Sequence, residues 1–323
     1  MAGSETLRTG DILIDKSIFS LENVLVDLSD HTQLISSFAS SGVLAPLTVF
    51  RDAKGGYHVV DGFKRARYLR DSGNGSLTVY VLPDDVSLRG IIQLILHSKW
   101  KLICESAVNR ASFVAFVVAS GLDEGSVLKD VCRPLGLKPG RKFIEECKRI
   151  SEMNDELKRY CHEKKLAMKQ LVNFINYPEE VLSHILSWRQ RIQLSASIMD
   201  EIASGIRDLI RRNDMKLSDL TSDGELNEAL NSDSSQKERT ERLRTVLRKK
   251  RFPLLTEVNS RLEQAIERTG LPDNINISWD RTLENRGLSI RIDVRATDDI
   301  RNVKQVIGSE ELPGLIKEIL DEL

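Results

Sequence analysis

The chain has 323 residues, enough for two or three domains that each bury a core. Its 47 Lys and Arg are balanced by 48 Asp and Glu, so the overall charge does not indicate a nucleic acid or a membrane as partner. No apolar run is long enough to cross a bilayer and no N-terminal signal is recognisable, which predicts a cytoplasmic protein.

The cysteines and histidines do not form a recognisable metal site. The four cysteines are Cys104, Cys132, Cys147 and Cys161. Their wide spacing, without a Cys-x-x-Cys pair, predicts reduced thiols that are mostly part of the core. The five histidines are scattered in the same way, and we therefore predict no metal-binding residue.

Residues 1–85 are predicted to form a small α/β domain. The first ten residues are polar and are expected to be loosely ordered. Apolar runs at 12–14, 47–50, 57–60 and 77–81 predict short strands. Helices are predicted at 34–41 and from 63 to about 72, and a hairpin turn is predicted at 52–56.

The turn between the strand 57–60 and the following helix is a candidate binding site. Gly62 adopts positive φ freely, and the helix that starts after it leaves backbone N–H groups unpaired at the positive end of its dipole. Lys64, Arg65 and Arg67 add cations beside these amides, which is typical of a phosphate-binding turn. The alternative interpretation is that the cations are only the solvated face of an amphipathic helix.

The order and spacing of these segments resemble the ParB/sulfiredoxin superfamily. The resemblance covers about residues 11–83, and with the helical segment that follows it extends to about residue 178. It implies a pocket for a nucleoside triphosphate, commonly CTP, in which Lys64 and Arg65 hold the phosphates. The residues that the resemblance assigns to this pocket are Gly42, Pro46, Asp61, Gly62, Lys64, Arg65 and Arg67.

The sequence departs from the family pattern at two places. The typical turn Gly-Glu-Arg-Arg reads Gly62-Phe63-Lys64-Arg65, and Phe63 stands where sulfiredoxins have their reactive cysteine, which excludes that chemistry. The family's Glu-Asn-x-x-Arg motif, which contacts phosphates and metal, corresponds to residues 97–101, where only the final cation is kept. This change argues against hydrolysis and puts Mg²⁺-assisted binding in question.

Residues 86–212 are predicted to be a helical domain that contains a helix-turn-helix-like unit at 127–144. Lys138, Arg141 and Lys142 fall at the start of its second helix, the part that meets the major groove and its phosphates in such motifs. Pro134 lies inside the predicted first helix, which favours a second interpretation, a packed helix pair with a solvated basic edge.

The remaining sequence predicts a linker and a C-terminal domain. Residues 213–236 are rich in Ser, Asp and Asn and read as the linker, with one short helix at 226–230. The domain 237–323 opens with eight Lys and Arg at 237–251, Arg248 and Lys249 among them, which suit a phosphate backbone or a solvated helix face equally. After this run, we predict a helix at 254–269, strands at 275–279 and 288–295, and helices at 298–307 and 310–323.

Together these features predict an α+β multidomain protein with a ParB-like α/β N-terminal domain, an all-α helix-turn-helix-like middle and a small α/β C-terminal domain. The predicted function is DNA binding of partition or regulatory type, controlled by a CTP-like nucleotide at the Gly62–Arg65 turn. Double-stranded DNA, a second copy bound through the C-terminal domain and a partner ATPase are the partners that the resemblance implies. The alternatives are a small-molecule kinase with Asp61 as its base, or a ligand-free adaptor that binds protein.

Overall fold

The computed structural model describes residues 3–213, 216–295, 304, 307–308 and 311–322. The chain divides into two compact units. The first contains the described residues up to Ser187 together with Leu194–Asp200, and the second contains Trp188–Gln193 and the described residues from Glu201 onward. Helices and strands occur in each unit, which confirms the predicted α+β fold class.

A five-stranded sheet lies in the first unit. Its strands are β1 Gly3–Arg8, β2 Ile12–Leu13, β3 Leu47–Arg51, β4 Tyr57–Asp61 and β5 Ser76–Val81, in the spatial order β1-β5-β3-β4-β2. β3 and β4 are antiparallel, as the predicted hairpin requires, whereas β3 and β5 are parallel. One face of these strands buries Leu47, Val49, Val59 and Val79 completely, which makes it the core of the α/β part.

The N-terminal edge of this sheet differs from the sequence prediction. The expectation of a loosely ordered start is wrong for β1, which pairs antiparallel with β5 from Gly3 opposite Val81 to Arg8 opposite Ser76. The side chains of β1 are almost all exposed, so the strand lacks the apolar alternation by which a strand is recognised in a sequence. Backbone hydrogen bonds to β5 provide the pairing instead.

Helices make up the rest of the first unit. They are α1 Thr32–Ser41, α2 Phe63–Asp71, α3 Leu88–Ser98, α4 Trp100–Cys104, α5 Ala107–Ala119, α6 Glu124–Ser126, α7 Phe143–Ser151, α8 Asp155–Glu163, α9 Met168–Phe174 and α10 Glu179–Ser187. α5 is the centre of this part, because most of its side chains are buried, Phe113 and Val114 completely. Ser106 caps its first turn by accepting a hydrogen bond from the Asn109 N–H.

The predicted helix-turn-helix has a longer connection than its sequence pattern indicates. A π-helical segment, Val127–Cys132, continues α6 and ends before Pro134, so the proline lies outside the helix and does not interrupt it. α7 then begins at Phe143, so Lys138, Arg141 and Lys142, which were predicted at the start of this helix, lie before it. The connection therefore covers residues 133–142, longer than the three to four residues typical of a helix-turn-helix.

The second unit begins with helices and ends in a small α/β part. α11 Ala196–Asn213 crosses from the first unit into the second, and α12 Leu217–Thr221, α13 Gly224–Asn231, α14 Gln236–Arg251 and α15 Pro253–Thr269 follow. The segment 213–236, predicted as a linker with one helix, thus contains α12 as well as α13. Asp223 and Ser235 cap α13 and α14, so residues typical of a linker are here N-caps of helices.

The C-terminal elements agree with the predicted helix at 254–269 and strand at 275–279, whereas the second strand ends at Ile292, three residues before the predicted bound. β6 Ile275–Trp279 pairs antiparallel with β7 Leu288–Ile292, and α15 and α16 Glu311–Glu322 pack against them around Leu262, Trp279 and Ile319. The predicted helix at 298–307 lies almost wholly outside the described residues. β6 alternates buried and exposed side chains, the pattern expected of a strand with one face on a core.

One buried polar side chain holds the irregular segment 19–28 to the helical part of the first unit. Asn109 is completely buried on α5. Its Oδ1 accepts a hydrogen bond from the Val26 N–H at 2.8 Å, and its Nδ2 donates to the carbonyl oxygens of Val26 and Leu102 at 2.9 Å. A side chain amide here replaces the backbone partner that a strand would supply.

We expect Asn109→Ala to lower the free energy of unfolding by roughly 2–3 kcal/mol, because it leaves the N–H and C=O of half-buried Val26 without partners and the Leu102 carbonyl with only the Glu105 N–H. Urea denaturation measures this change. The control is Asn173→Ala, which removes the same amide from an exposed position on α9 and should change stability little. Equal stability of the two variants would show that segment 19–28 does not depend on Asn109.

Candidate functional site

The turn between β4 and α2 depends on glycine for two reasons. Gly62 has φ 96° and ψ 24°, in the left-handed region that favours glycine. A Cβ at this position would lie 2.8 Å from Leu47 Cδ2 and 2.9 Å from Arg65 Nη2. Because no side chain caps α2, the first backbone N–H groups of this helix remain available to a ligand.

This turn opens into a cavity of about 770 Å³ within the first unit. The segment 19–28 forms one wall and the Gly62 turn forms another. Ser98, Lys99 and Leu102 line it from the end of α3 and from α4, and the first turns of α8 complete it. A volume of this size is in the range of roughly 300–1,000 Å³ that is usual for small-molecule sites.

The cavity lining is mixed. Many of its side chains are aliphatic or aromatic, among them Phe19, Leu21, Val24, Leu25, Leu28, Leu34, Phe38, Val60, Phe63, Ile95 and Leu102. Six cations and four carboxylates also line it, which gives the cavity a net positive charge. The combination suits a ligand that has both a flat apolar group and an anionic group.

Arg65 is held by the protein itself. Its Nη1 donates to the carbonyl oxygens of Ala45 and Pro46 at 3.0 and 2.9 Å, and its Nη2 donates to Asp61 Oδ2 at 3.0 Å. The other oxygen of Asp61 lies 3.0 Å from Lys99 Nζ. Arg65 thus has a structural role in this state, and a phosphate at the turn would compete with Asp61 for two cations.

The same ion pairs argue against Asp61 as a general base. One of its oxygens is bound by Arg65 and the other by Lys99, so a substrate proton could be reached only after one of these cations is displaced. No observation favours the kinase interpretation, which relies on this residue.

Lys64 also forms an ion pair with a carboxylate of the chain. Lys64 Nζ lies 3.0 Å from Asp27 Oδ2 and 2.6 Å from His31 Nε2. Burial opposes ionisation of Asp27, but hydrogen bonds from Ser29 and Lys64 outweigh it and hold the pKa of this carboxyl far below its usual value.

Arg67 forms ion pairs with two carboxylates. Its Nε donates to Asp15 Oδ1 at 3.0 Å, and its terminal nitrogens form a bidentate pair with Glu22. Hydrogen bonds from Arg67 to Glu22 and Asp15 raise the pKa of the guanidinium, so this residue is charged at any pH of interest.

The structure brings five of the seven predicted pocket residues to the cavity. Asp61, Gly62, Lys64, Arg65 and Arg67 line it. The other two do not line it: Gly42 ends α1 with φ 71°, and Pro46 contributes only the carbonyl oxygen that Arg65 binds.

Sequence reasoning did not identify three cations of the cavity. Lys99 was part of the segment 97–101 but had no predicted role, and its ion pair with Asp61 joins residues far apart in the sequence. Lys158 and Arg159 lie on α8. The sequence of α8 shows an amphipathic helix, and such a pattern does not indicate which exposed cation faces a cavity.

A magnesium ion does not fit the carboxylates of this cavity. Glu22, Asp27, Asp61 and Asp155 each form an ion pair with a Lys or Arg. Within the described residues, no group of three His, Cys, Asp or Glu side chains could hold a metal ion. We therefore assign no role to Mg²⁺.

The cations predicted to touch DNA in the first unit are exposed. Lys138, Arg141 and Lys142 lie on the connection before α7, and no partner for their side chains is found among the described residues. The first turn of α7 itself carries Glu145 and Glu146. Negative charge there disfavours insertion of this helix end among DNA phosphates, and the three cations lie on the loop that precedes it.

Half of the eight cations in the basic run of the second unit form ion pairs with carboxylates of the same unit. Lys249 Nζ lies 3.0 Å from Glu225 Oε1, while Arg248 is exposed and has no ion-pair partner among the described residues. Four members of the run form ion pairs, and these are Arg244 with Glu201 and Glu241, Lys249 with Glu225, Lys250 with Asp223 and Glu225, and Arg251 with Asp208. For these four residues, the pairing agrees with the interpretation of the run as a solvated helix face.

No protein-family model matches the chain, and no curated protein matches it. Three similar solved structures are ParB proteins. The C-terminally truncated chromosome-partitioning protein ParB from Caulobacter crescentus, complexed to the centromeric parS site, is 12% identical, with 62% of this chain and 98% of that chain covered and a TM-score of 0.31. A Pnob8-like ParB-N domain is 14% identical, with coverage of 68% and 96% and a TM-score of 0.33. The C. crescentus ParB complexed with CTP-γ-S is 15% identical, with coverage of 57% and 98% and a TM-score of 0.23.

All three belong to the family that the sequence resembles, and the low identities and TM-scores make the likeness a distant one. In the described part of the chain, no helix is both long and apolar enough to span a membrane.

We expect Gly62→Ala to destabilise the protein more than Gly73→Ala. Both glycines have positive φ, so each alanine costs about 1–2 kcal/mol of backbone strain. Only the Cβ at position 62 meets other atoms, whereas the space around Gly73 is open, and crowding should add roughly 1–3 kcal/mol. Urea denaturation of the two variants measures the difference, and equal losses would show that Leu47 and Arg65 do not constrain the turn.

Proposed function

We propose that this protein is a ParB-like DNA-binding protein of partition or regulatory type, whose DNA binding is controlled by a nucleotide in the cavity at the Gly62 turn. The observation that carries the proposal is the cavity itself. It combines an uncapped helix start, a surplus of cations and many apolar lining side chains in about 770 Å³. These are the features that a nucleoside triphosphate requires for its phosphates and its base.

The polarity of the cavity supports a nucleotide over a purely anionic ligand. The phosphates would lie at the N-terminus of α2, where Lys64 and the backbone N–H groups are close. The base would pack against apolar lining residues such as Phe19, Phe38 or Phe63. The sequence resemblance favours CTP among the nucleotides, and the paired state of Asp61 favours binding without hydrolysis.

We expect calorimetric titration with CTP, ATP and GTP to show binding of at least one nucleotide in the micromolar range. Lys64→Ala should weaken it by roughly tenfold, because one charge-assisted contact is lost. The control is Lys54→Ala, which removes an exposed lysine from the hairpin turn outside the cavity and should leave affinity unchanged. Absence of heat with all three nucleotides would contradict nucleotide control and leave the ligand-free adaptor as the better interpretation.

The DNA part of the proposal is supported by the exposed connection before α7. Lys138, Arg141 and Lys142 present three cations that need not break an ion pair with a described residue to reach a phosphate. Because the start of α7 is acidic, contacts to the DNA backbone are favoured over reading of base edges. Arg248 is a further candidate in the second unit, whereas Lys249 would first have to leave Glu225.

The proposal also includes self-association through the C-terminal α/β part. The β6–β7 hairpin has two strands, so each leaves one edge without a partner strand among the described residues. Such an edge supports pairing with a second copy of the chain. The partner ATPase rests on the sequence resemblance alone.

We expect the triple substitution of Lys138, Arg141 and Lys142 by alanine to weaken binding to double-stranded DNA at all sequences alike. The slope of log affinity against log salt should become shallower by roughly 2 to 3, because about three counterions fewer are released. Fluorescence anisotropy at several salt concentrations measures this slope. Its control is the triple substitution of Lys101, Lys164 and Lys169, exposed lysines that remove the same charge from other surfaces. Equal slopes for the two variants would show that the connection does not contact DNA.

A further inference from the structure

The charges that line the cavity are matched to one another with one exception. Glu22 pairs with Arg67, Asp27 with Lys64, Asp155 with Lys158, and Asp61 with both Arg65 and Lys99. Arg159 is the sixth lining cation. Its side chain has no hydrogen-bond or ion-pair partner anywhere in the part of the chain that the structure describes.

The helix that carries Arg159 is firmly placed. Lys158 precedes it and is only 8% exposed. Its Nζ lies 3.0 Å from Asp155 Oδ1 and 3.4 Å from the Ser151 carbonyl oxygen. Leu157 and Tyr160 on the same helix are buried as well. Arg159 therefore projects from a fixed backbone, and only its own side chain needs to adjust to a ligand.

The chemistry of the side chain is suited to a phosphate. A guanidinium is planar and always charged, and its N–H groups match two oxygens of a phosphate at once. Lys64, Arg65, Arg67 and Lys99 can bind an anion only by sharing or leaving a carboxylate. Contact with Arg159 breaks no ion pair, so it is the cation from which an anion gains most.

We propose that Arg159 binds the phosphate chain of the ligand from the side of α8, so that the ligand spans the Gly62 turn and the helical part of the first unit. This inference rests on the proposed nucleotide binding and assigns to that site a residue from outside the α/β part. The contact would place the ligand on α8, which follows α7 after only residues 152–154. α7 in turn follows the exposed basic connection 133–142.

The test compares the wild-type protein with Arg159→Ala, Arg159→Lys and Arg133→Ala. Arg133 is an exposed arginine outside the cavity, also without a side-chain partner among the described residues, and is the matched control. The probes are inorganic triphosphate and whichever of CTP, ATP and GTP the wild type binds most tightly. Titrations are done at two salt concentrations, and circular dichroism with thermal melting confirms that each variant is folded.

We expect Arg159→Ala to weaken binding of the nucleotide and of inorganic triphosphate by roughly ten- to a hundredfold, and to make the remaining affinity less dependent on salt. Arg159→Lys should restore part of the affinity, because it returns the charge without the planar donor pair. Arg133→Ala should bind like the wild type.

Two outcomes would overturn the inference and can be told apart. If Arg159→Ala binds nucleotide as tightly as the wild type, Arg159 is not a phosphate-binding residue, while the proposed nucleotide site stands. If the wild type binds no nucleotide and no inorganic triphosphate, the proposed site fails and the role of Arg159 fails with it. Equal weakening by Arg133→Ala also overturns the inference, because the effect then reports overall charge and not a contact.

Discussion

The left-handed backbone of Gly62 is the constraint on which the cavity depends. It ends β4 and starts α2 within one residue, and this brings the Arg65 side chain back beneath the turn. From there Arg65 reaches the carbonyl oxygens of Ala45 and Pro46 and the carboxylate of Asp61. Asp61 in turn reaches Lys99, next to α4. A single backbone conformation thus connects the sheet, the loop before β3 and the helical part of the unit.

The ion pairs of the cavity make ligand binding an exchange of partners. Asp61 occupies Arg65 and Lys99 as an internal anion, and Asp27 occupies Lys64. A phosphate that enters must be a better partner for these cations than a carboxylate, which its greater charge and additional oxygens allow. The exchange would release Asp61 from the turn, so that occupancy of the cavity changes contacts between the α/β part and α4. This gives a physical route by which a ligand can affect the helical part.

Local features of the fold and of the site could be predicted from the sequence. The strands at 57–61 and 76–81, the positive φ of Gly62 and the presence of Lys64, Arg65 and Arg67 at the cavity all follow from short segments whose pattern is set by neighbouring residues. β1 could not be predicted in this way, because its pairing with β5 joins residues about seventy positions apart and leaves its side chains exposed.

The ion-pair partners of charged residues could not be predicted from short sequence segments either. Whether Arg65 binds a ligand or Asp61, and whether Arg159 faces a cavity, depends on elements that the tertiary fold brings together. A single sequence contains the charges but not their distances. The same limit applies to the connection 133–142, because the sequence did not show that Lys138, Arg141 and Lys142 precede α7, which begins at Phe143.

The two basic segments show why such pairing matters for function. As sequences, 138–142 and 237–251 both suit a phosphate backbone, and the longer run has more cations. Binding to DNA gains free energy chiefly by releasing counterions, and a lysine that is already paired with a carboxylate of its own chain has little of this gain to offer. Lys249 is paired with Glu225, and Lys250 with Asp223, whereas the side chains of Lys138 and Arg141 have no partner among the described residues. Within the described residues, all three cations of the shorter segment are without such pairs, whereas four of the eight in the longer run are paired. The longer run therefore offers a DNA phosphate less than its number of basic residues indicates, and the shorter segment offers its full charge.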